Sequence, residues 1–67
     1  MKFSEVIDAL MEGKPISRTG WPDGKFLYLD KEQNWFAYHL GEDTDWITYI
    51  LYLKPEDIIA DDWKIVK

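Results

Sequence analysis

The sequence predicts an α+β fold: a small antiparallel β-sheet packed against one short N-terminal helix, in a single domain spanning residues 1–67. Three observations carry that expectation. Apolar residues recur at helical spacing at the start of the chain, at Phe3, Val6, Ile7, Leu10 and Met11. The later apolar and aromatic residues fall in short runs bounded by Gly, Pro, Asp and Asn, as strands do. A chain of 67 residues without cysteine has room for one core and no disulfide framework or thiolate metal site to support it.

The elements follow in order. For the helix, Ser4 reads as an N-cap, Glu5 suits the positive end of the dipole, and Gly13 is placed to terminate it. A helix this short does not persist alone in water, so it must lie on the sheet. Residues 15–18 read as a brief edge strand, because proline tolerates an edge or first position. Residues 19–24 hold two glycines and a proline and read as a loop. Residues 25–30 and 35–40 read as strands joined by the polar turn 31–34 into a hairpin, followed by an acidic loop over 41–45. Pro55, followed by Glu56 and Asp57, predicts a helical turn over residues 55–60, and residues 63–66 close as a last strand with Trp63 in the core.

Residues 46–53 break the pattern. Ile47, Tyr49, Leu51 and Leu53 alternate with Trp46, Thr48, Ile50 and Tyr52, so both faces are apolar or aromatic. A strand with one wet face should alternate. Either something covers the second face or that face meets another subunit, and a domain of this size gains from such reinforcement, since it buries only about 60% of its unfolded surface.

Eight basic against thirteen acidic residues give a formal charge of −5. That balance argues against a general nucleic-acid binder and against an anchor on anionic membrane. The run at 46–53 is too short to span a bilayer, and the first residues lack the apolar stretch of a signal peptide. A soluble, intracellular domain is the expectation.

Catalytic constellations are scarce. His39 is the single histidine and reads as a half-exposed strand residue. Asp43-x-Asp45 opens like a calcium loop, but the required glycine is missing and the twelfth position is Lys54, so no metal is expected. Asp57, Asp61 and Asp62 form a carboxylate cluster of the kind usually solvated in a turn. The dispersed glycines make no phosphate loop or dinucleotide fingerprint. Trp21 is the informative aromatic. It sits between Gly20 and Pro22, shortly after Arg18, the chain's single arginine. Two readings stand: a platform on which a flat base stacks, beside an arginine that grips phosphate, or a lid folded back on a tiny core.

The two ends carry a resemblance. Phe3-Ser4-Glu5, Asp8-Ala9-Leu10, Gly13-Lys14-Pro15-Ile16 and Arg18-x-Gly20-Trp21 form one half. The other half is the closing segment Asp57-Ile58-Ile59-Ala60-Asp61-Asp62-Trp63-Lys64-Ile65-Val66. Together they resemble a family of phage proteins, the second type of Thoeris anti-defence protein. The middle departs from that family, which often carries Trp-x-Pro-Ser before the final turn. Here Trp46-Ile47-Thr48-Tyr49 stands instead, with Pro55 later.

The resemblance implies a binding protein with no catalytic activity and no cofactor. Thoeris immunity uses a TIR-domain enzyme to make a cyclic ADP-ribose isomer from NAD, and family members form oligomers that sequester the signal in pockets at subunit interfaces. Some relatives also capture cyclic oligonucleotides. By that likeness the chain is expected to act in the host bacterial cytoplasm as a homo-oligomer, dimer or tetramer, whose partner is a cyclic nucleotide-type signal. Trp21 would stack on a base, Arg18 and Lys14 would lie near phosphates, and Asp57 or Asp61 would accept from ribose hydroxyls or a base edge. A rival reading is an inhibitor that binds a defence protein, such as a CRISPR nuclease, through the acidic residues Glu42, Asp43 and Asp45. An enzyme degrading the signal comes third.

Overall fold

The computed structural model describes residues 1–40, 45–48 and 53–66. In chain order the elements are α1 (Phe3–Met11), β1 (Ile16–Arg18), β2 (Lys25–Asp30), β3 (Trp35–Leu40), β4 (Asp45–Thr48), α2 (Pro55–Ile59) and β5 (Trp63–Ile65). The fold is α+β. Among the described residues the strands form one antiparallel sheet in the order β4-β3-β2-β1-β5.

Helix α1 starts two positions earlier than its cap signal suggests. Lys2 is the extended N-cap residue, and its backbone N–H donates to Glu5 Oε1 at 2.7 Å. Ser4 therefore lies inside the first turn, and Glu5 satisfies one of the orphan donors of the helix start. At the other end Lys14 N–H donates to the Ala9 carbonyl at 2.9 Å and Gly13 N–H to that of Leu10 at 3.0 Å, the paired bonds of a Schellman ending. The motif requires a left-handed residue, and Gly13 supplies it at φ 94°. A Cβ there would also stand 3.1 Å from the Lys31 side chain, so the β2–β3 turn closes directly over the helix end.

Strand β1 is interior, not an edge. Ile16 pairs with Leu27 of β2 on one side and with Ile65 of β5 on the other. Pro15 escapes the proline penalty by lying just outside the strand, where it acts as an acceptor: its carbonyl takes the Val66 N–H at 2.8 Å. The β2–β3 hairpin holds the expected turn. Asp30 Oδ1 accepts from the N–H groups of Glu32 and Gln33 at 3.1 Å, and Asn34 adopts φ 61°.

Helix α1 covers one face of the sheet, with α2 packed beside it, and the core lies between α1 and the strands. Val6, Leu10, Ile16, Leu27, Leu53 and Trp63 form it, with Phe3, Ile7, Trp21, Phe36 and Tyr38 packed around them. Trp63 keeps 2% of its surface exposed, as expected of a core residue. Side-chain alternation sends Phe26, Tyr28, Ala37 and His39 to the opposite face, where Phe26 stacks on His39 at 4.8 Å and meets Tyr28 at 5.9 Å.

The doubly apolar run is described in part. Residues 46–48 belong to β4, which pairs with β3. Residues 49–52, and with them the outward positions Ile50 and Tyr52, lie outside the described residues, whereas Leu53 is buried in the core. No helix of the described chain is long and apolar enough to cross a membrane.

Candidate functional site

The last residue of β1 and the loop after it organise the site. Arg18 pairs in register with Trp63 of β5, which brings its guanidinium to the segment between α2 and β5. Two carboxylates hold it there. Nε donates to Asp62 Oδ1 at 2.8 Å, Nη2 to Asp62 Oδ2 at 3.3 Å, and Nη1 to Asp57 Oδ1 at 2.7 Å. Asp57 is 9% exposed, and its second oxygen accepts the Lys54 N–H at 3.1 Å. The fork with Asp62 is the planar bidentate match that arginine makes and lysine does not.

These bonds set the charges. Hydrogen bonding to Asp62 and then to Asp57 holds Arg18 more firmly protonated than usual. The bond from Arg18 pulls the Asp62 carboxyl below the ordinary aspartate range. A depressed carboxylate stabilises the fold fully above its unfolded pKa, and that contribution disappears as pH falls through the folded value. Urea midpoints should therefore decline as the medium is acidified past the ordinary aspartate pKa of about 3.9. Asp62→Asn should lower the midpoint at neutral pH and flatten this part of the acid limb. An unchanged acid limb in that variant would show that the pair adds nothing.

Trp21 is tied to this cluster through its backbone, whose N–H donates to the Arg18 carbonyl at 3.0 Å. Its half-buried ring meets Trp63 edge-on at 5.3 Å and Tyr38 at 5.7 Å. Lys25 Nζ lies 4.4 Å from the Trp21 ring centroid and 5.3 Å from that of Tyr38. Burial, with a further contribution from the charge of Asp57, pushes the Tyr38 phenol up to about 12, so it is neutral beneath that ammonium. Trp21 thus packs as a lid on the core.

It also lines an open cleft. This space of about 340 Å³ lies between the loop and strands β1, β2 and β5, with Ser17, Trp21, Asp23, Lys25, Phe26 and Lys64 among its walls. That volume is at the small end of ordinary ligand pockets, roughly 300–1,000 Å³. Ser17, buried beneath, donates its hydroxyl to the Lys25 carbonyl at 2.8 Å and fixes β1 against the start of β2. Among the described residues no group of three or more His, Asp or Glu is placed to hold a metal ion.

The structure joins some of the residues expected from sequence and separates others. Arg18 and Asp57 form one cluster, and Trp21 touches both it and the cleft. Lys14 is exposed at the far end of β1, 3.3 Å from Glu12, and Asp61 is exposed with its carbonyl accepting from the Met1 amine at 2.8 Å. Neither Lys14 nor Asp61 lines the cleft. Three of the five guanidinium N–H donors of Arg18 are committed to Asp57 and Asp62, whose charges would repel a phosphate there. Lys25, Phe26 and Lys64 of the cleft, and Asp62 as the partner of Arg18, carry no local sequence signal of these roles. Of the acidic loop named for the rival reading, Glu42 and Asp43 lie outside the described residues, and Asp45 opens β4.

No curated protein matches the chain. A family model does, described as the Thoeris anti-defense 2-like domain, and its match covers residues 1–66, well beyond the two segments that carry the resemblance. The role it implies is a Thoeris anti-defence one, by binding more than by catalysis. The chain belongs to the Thoeris anti-defense 2-like family.

Proposed function

We propose that the protein binds and sequesters a nucleotide immune signal, a cyclic ADP-ribose isomer or a cyclic oligonucleotide, without degrading it. The observation that carries this reading is Trp21 in the wall of a cleft that Lys25 and Lys64 also line, in a chain of this family. An indole wall suits a flat base, and ammonium groups suit phosphate oxygens. The cluster of Arg18 with Asp57 and Asp62 serves as a frame, because Arg18 anchors the backbone that carries Trp21. The net charge of −5 is no obstacle, since the local field at the site governs an anion more than the total does.

The cleft is small for a whole dinucleotide, and a homo-oligomer would complete it. Light scattering should then give at least twice the 8.0 kDa chain mass, and a monomer at working concentration would remove that part of the reading. The decisive experiment incubates the protein with a TIR-made cyclic ADP-ribose isomer, removes free ligand, denatures the protein by heat and assays the supernatant. Intact signal released only on heating is the expected result. Fragments would mean an enzyme, and a signal never depleted would mean that the protein acts on a protein target or on another ligand.

A further inference from the structure

We infer that Phe26 is a second stacking platform, on the face of the sheet opposite α1, and that the cleft beside it takes a flat heteroaromatic ring carrying an anionic group, with Lys64 as the counter-charge. Which ligand brings that ring rests on the sequestration reading, whereas the platform itself does not. Four strands each set one residue in a single row. Ser17 of β1 is in register with Lys64 of β5, the pairing of Ile16 with Leu27 puts Ser17 next to Phe26 of β2, and Phe26 is in register with His39 of β3. Residues in direct register share a face. Lys64, Ser17 and Phe26 of this row all line the cleft.

The row has one low point. Ser17 is 4% exposed, a small residue between two large ones, and it forms the floor. Neighbouring strands lie about 4.8 Å apart, so the backbones of Phe26 and Lys64 stand about 10 Å apart across it. One aromatic ring at the ordinary centroid separation of about 4.5–7 Å from Phe26 fills that gap. Phe26 has a face to offer it. His39 stacks on the ring from the β3 side, at 4.8 Å and 26° between planes, so the second face turns toward β1 and the cleft. The Trp21 indole differs, because it meets Tyr38 and Trp63 on the core face, with Lys25 Nζ over it at 4.4 Å. Charge then orients the incoming ring. Lys64 borders the cleft from β5 and Asp23 borders it from the loop. A ring with N–H donors on one edge and an anionic substituent on the other, as in an adenine nucleotide, satisfies both.

The test uses the whole chain and three probes: AMP, uncharged adenosine and ribose 5-phosphate. Binding is followed by amide and aromatic-ring NMR shifts. AMP should shift the signals of Ser17, Phe26 and Lys64, and ribose 5-phosphate should shift Lys64 more than Phe26. Phe26→Leu keeps apolar cover but has no flat face, so it should weaken AMP and adenosine alike by about tenfold. Phe26→Tyr should restore most of that loss. Lys64→Gln, at an exposed position, should weaken AMP severalfold and leave adenosine unchanged, and Lys64→Arg should recover the difference. Lys31→Gln, just past the far end of β2, should behave as wild type. AMP shifts on the row without depletion of the TIR-made signal would end the sequestration reading and leave the platform standing. AMP affinity unmoved by Phe26→Leu and Lys64→Gln, in folded protein, would overturn the platform and leave the sequestration reading intact. AMP shifts confined to Trp21 and Tyr38 on the core face, or no AMP shift at all, would also overturn it.

Discussion

Trp63→Ala is expected to leave the chain unfolded at room temperature. The indole is 2% exposed, meets Phe3 and Trp21 at ring distances of 5.3 Å, and donates its N–H to the Asp57 carbonyl at 2.8 Å. Truncating a buried tryptophan costs about 3–5 kcal/mol in lost transfer energy and residual cavity. A domain of 67 residues has roughly 0.05–0.15 kcal/mol of stability per residue, or about 3–10 in total. At the lower end of that range, where a domain this small belongs, most or all of it would go. Trp63→Phe separates packing from polarity: it keeps an aromatic ring but leaves the Asp57 carbonyl without its donor, at a cost of about 1–3 kcal/mol. That variant should fold with a lowered melting temperature. Circular dichroism melts decide the matter, and a Trp63→Ala melt within a few degrees of wild type would contradict the packing described.

Substitution of Trp21 is the second large effect, and it should appear in two measurements at once. The ring is half-buried over Tyr38 and Trp63, so Trp21→Ala removes a lid as well as a cleft wall. Partial burial places the stability loss below that of a fully buried tryptophan, about 2 kcal/mol, or a melting shift of roughly 8–16 °C in a domain of this size. Trp21→Leu distinguishes the two roles. Leucine retains apolar cover for the core but offers no flat face, so stability should largely hold while ligand affinity falls by about 1–3 kcal/mol, the usual contribution of one base–aromatic stack. Calorimetric titration with the cyclic ADP-ribose isomer provides the readout. Full affinity in folded Trp21→Leu would mean that the base lies elsewhere.

What sequence shows and what it hides divide by distance along the chain. Helix α1, its glycine ending, the turn of the β2–β3 hairpin and the proline-led α2 rest on interactions among neighbours within about five positions, and spacing alone reveals those. The cap signal at Ser4 points two residues too late because Glu5 acts through its side chain on Lys2, leaving Ser4 with no capping task. Pro15 marks β1 as an edge because it is a local signal, whereas the strand's second partner, β5, comes from the other end of the chain. The same distance conceals the site. The bond between Arg18 and Asp62 spans 44 positions, so nothing local identifies an arginine suited to phosphate and a solvated acidic turn as each other's partners. Lys64 reaches the cleft only through its register with Ser17, which no local pattern encodes. Trp21 is legible as important, and its two readings, lid and wall, describe two sides of one ring.

The pairing of β1 with β5 has a kinetic consequence. The hairpin closes over a four-residue turn, a microsecond event, whereas joining Arg18 to the Asp62–Trp63 segment closes a loop more than ten times longer. Docking of β5 should therefore come late in folding, and the strand should be among the first to detach when the chain unfolds. The cleft has no Lys64 wall until that step is complete, so a ligand bound there recognises only the finished chain. Such a ligand should act as a brake on escape from the native state, lengthening its lifetime in unfolding jumps while leaving the refolding rate nearly unchanged.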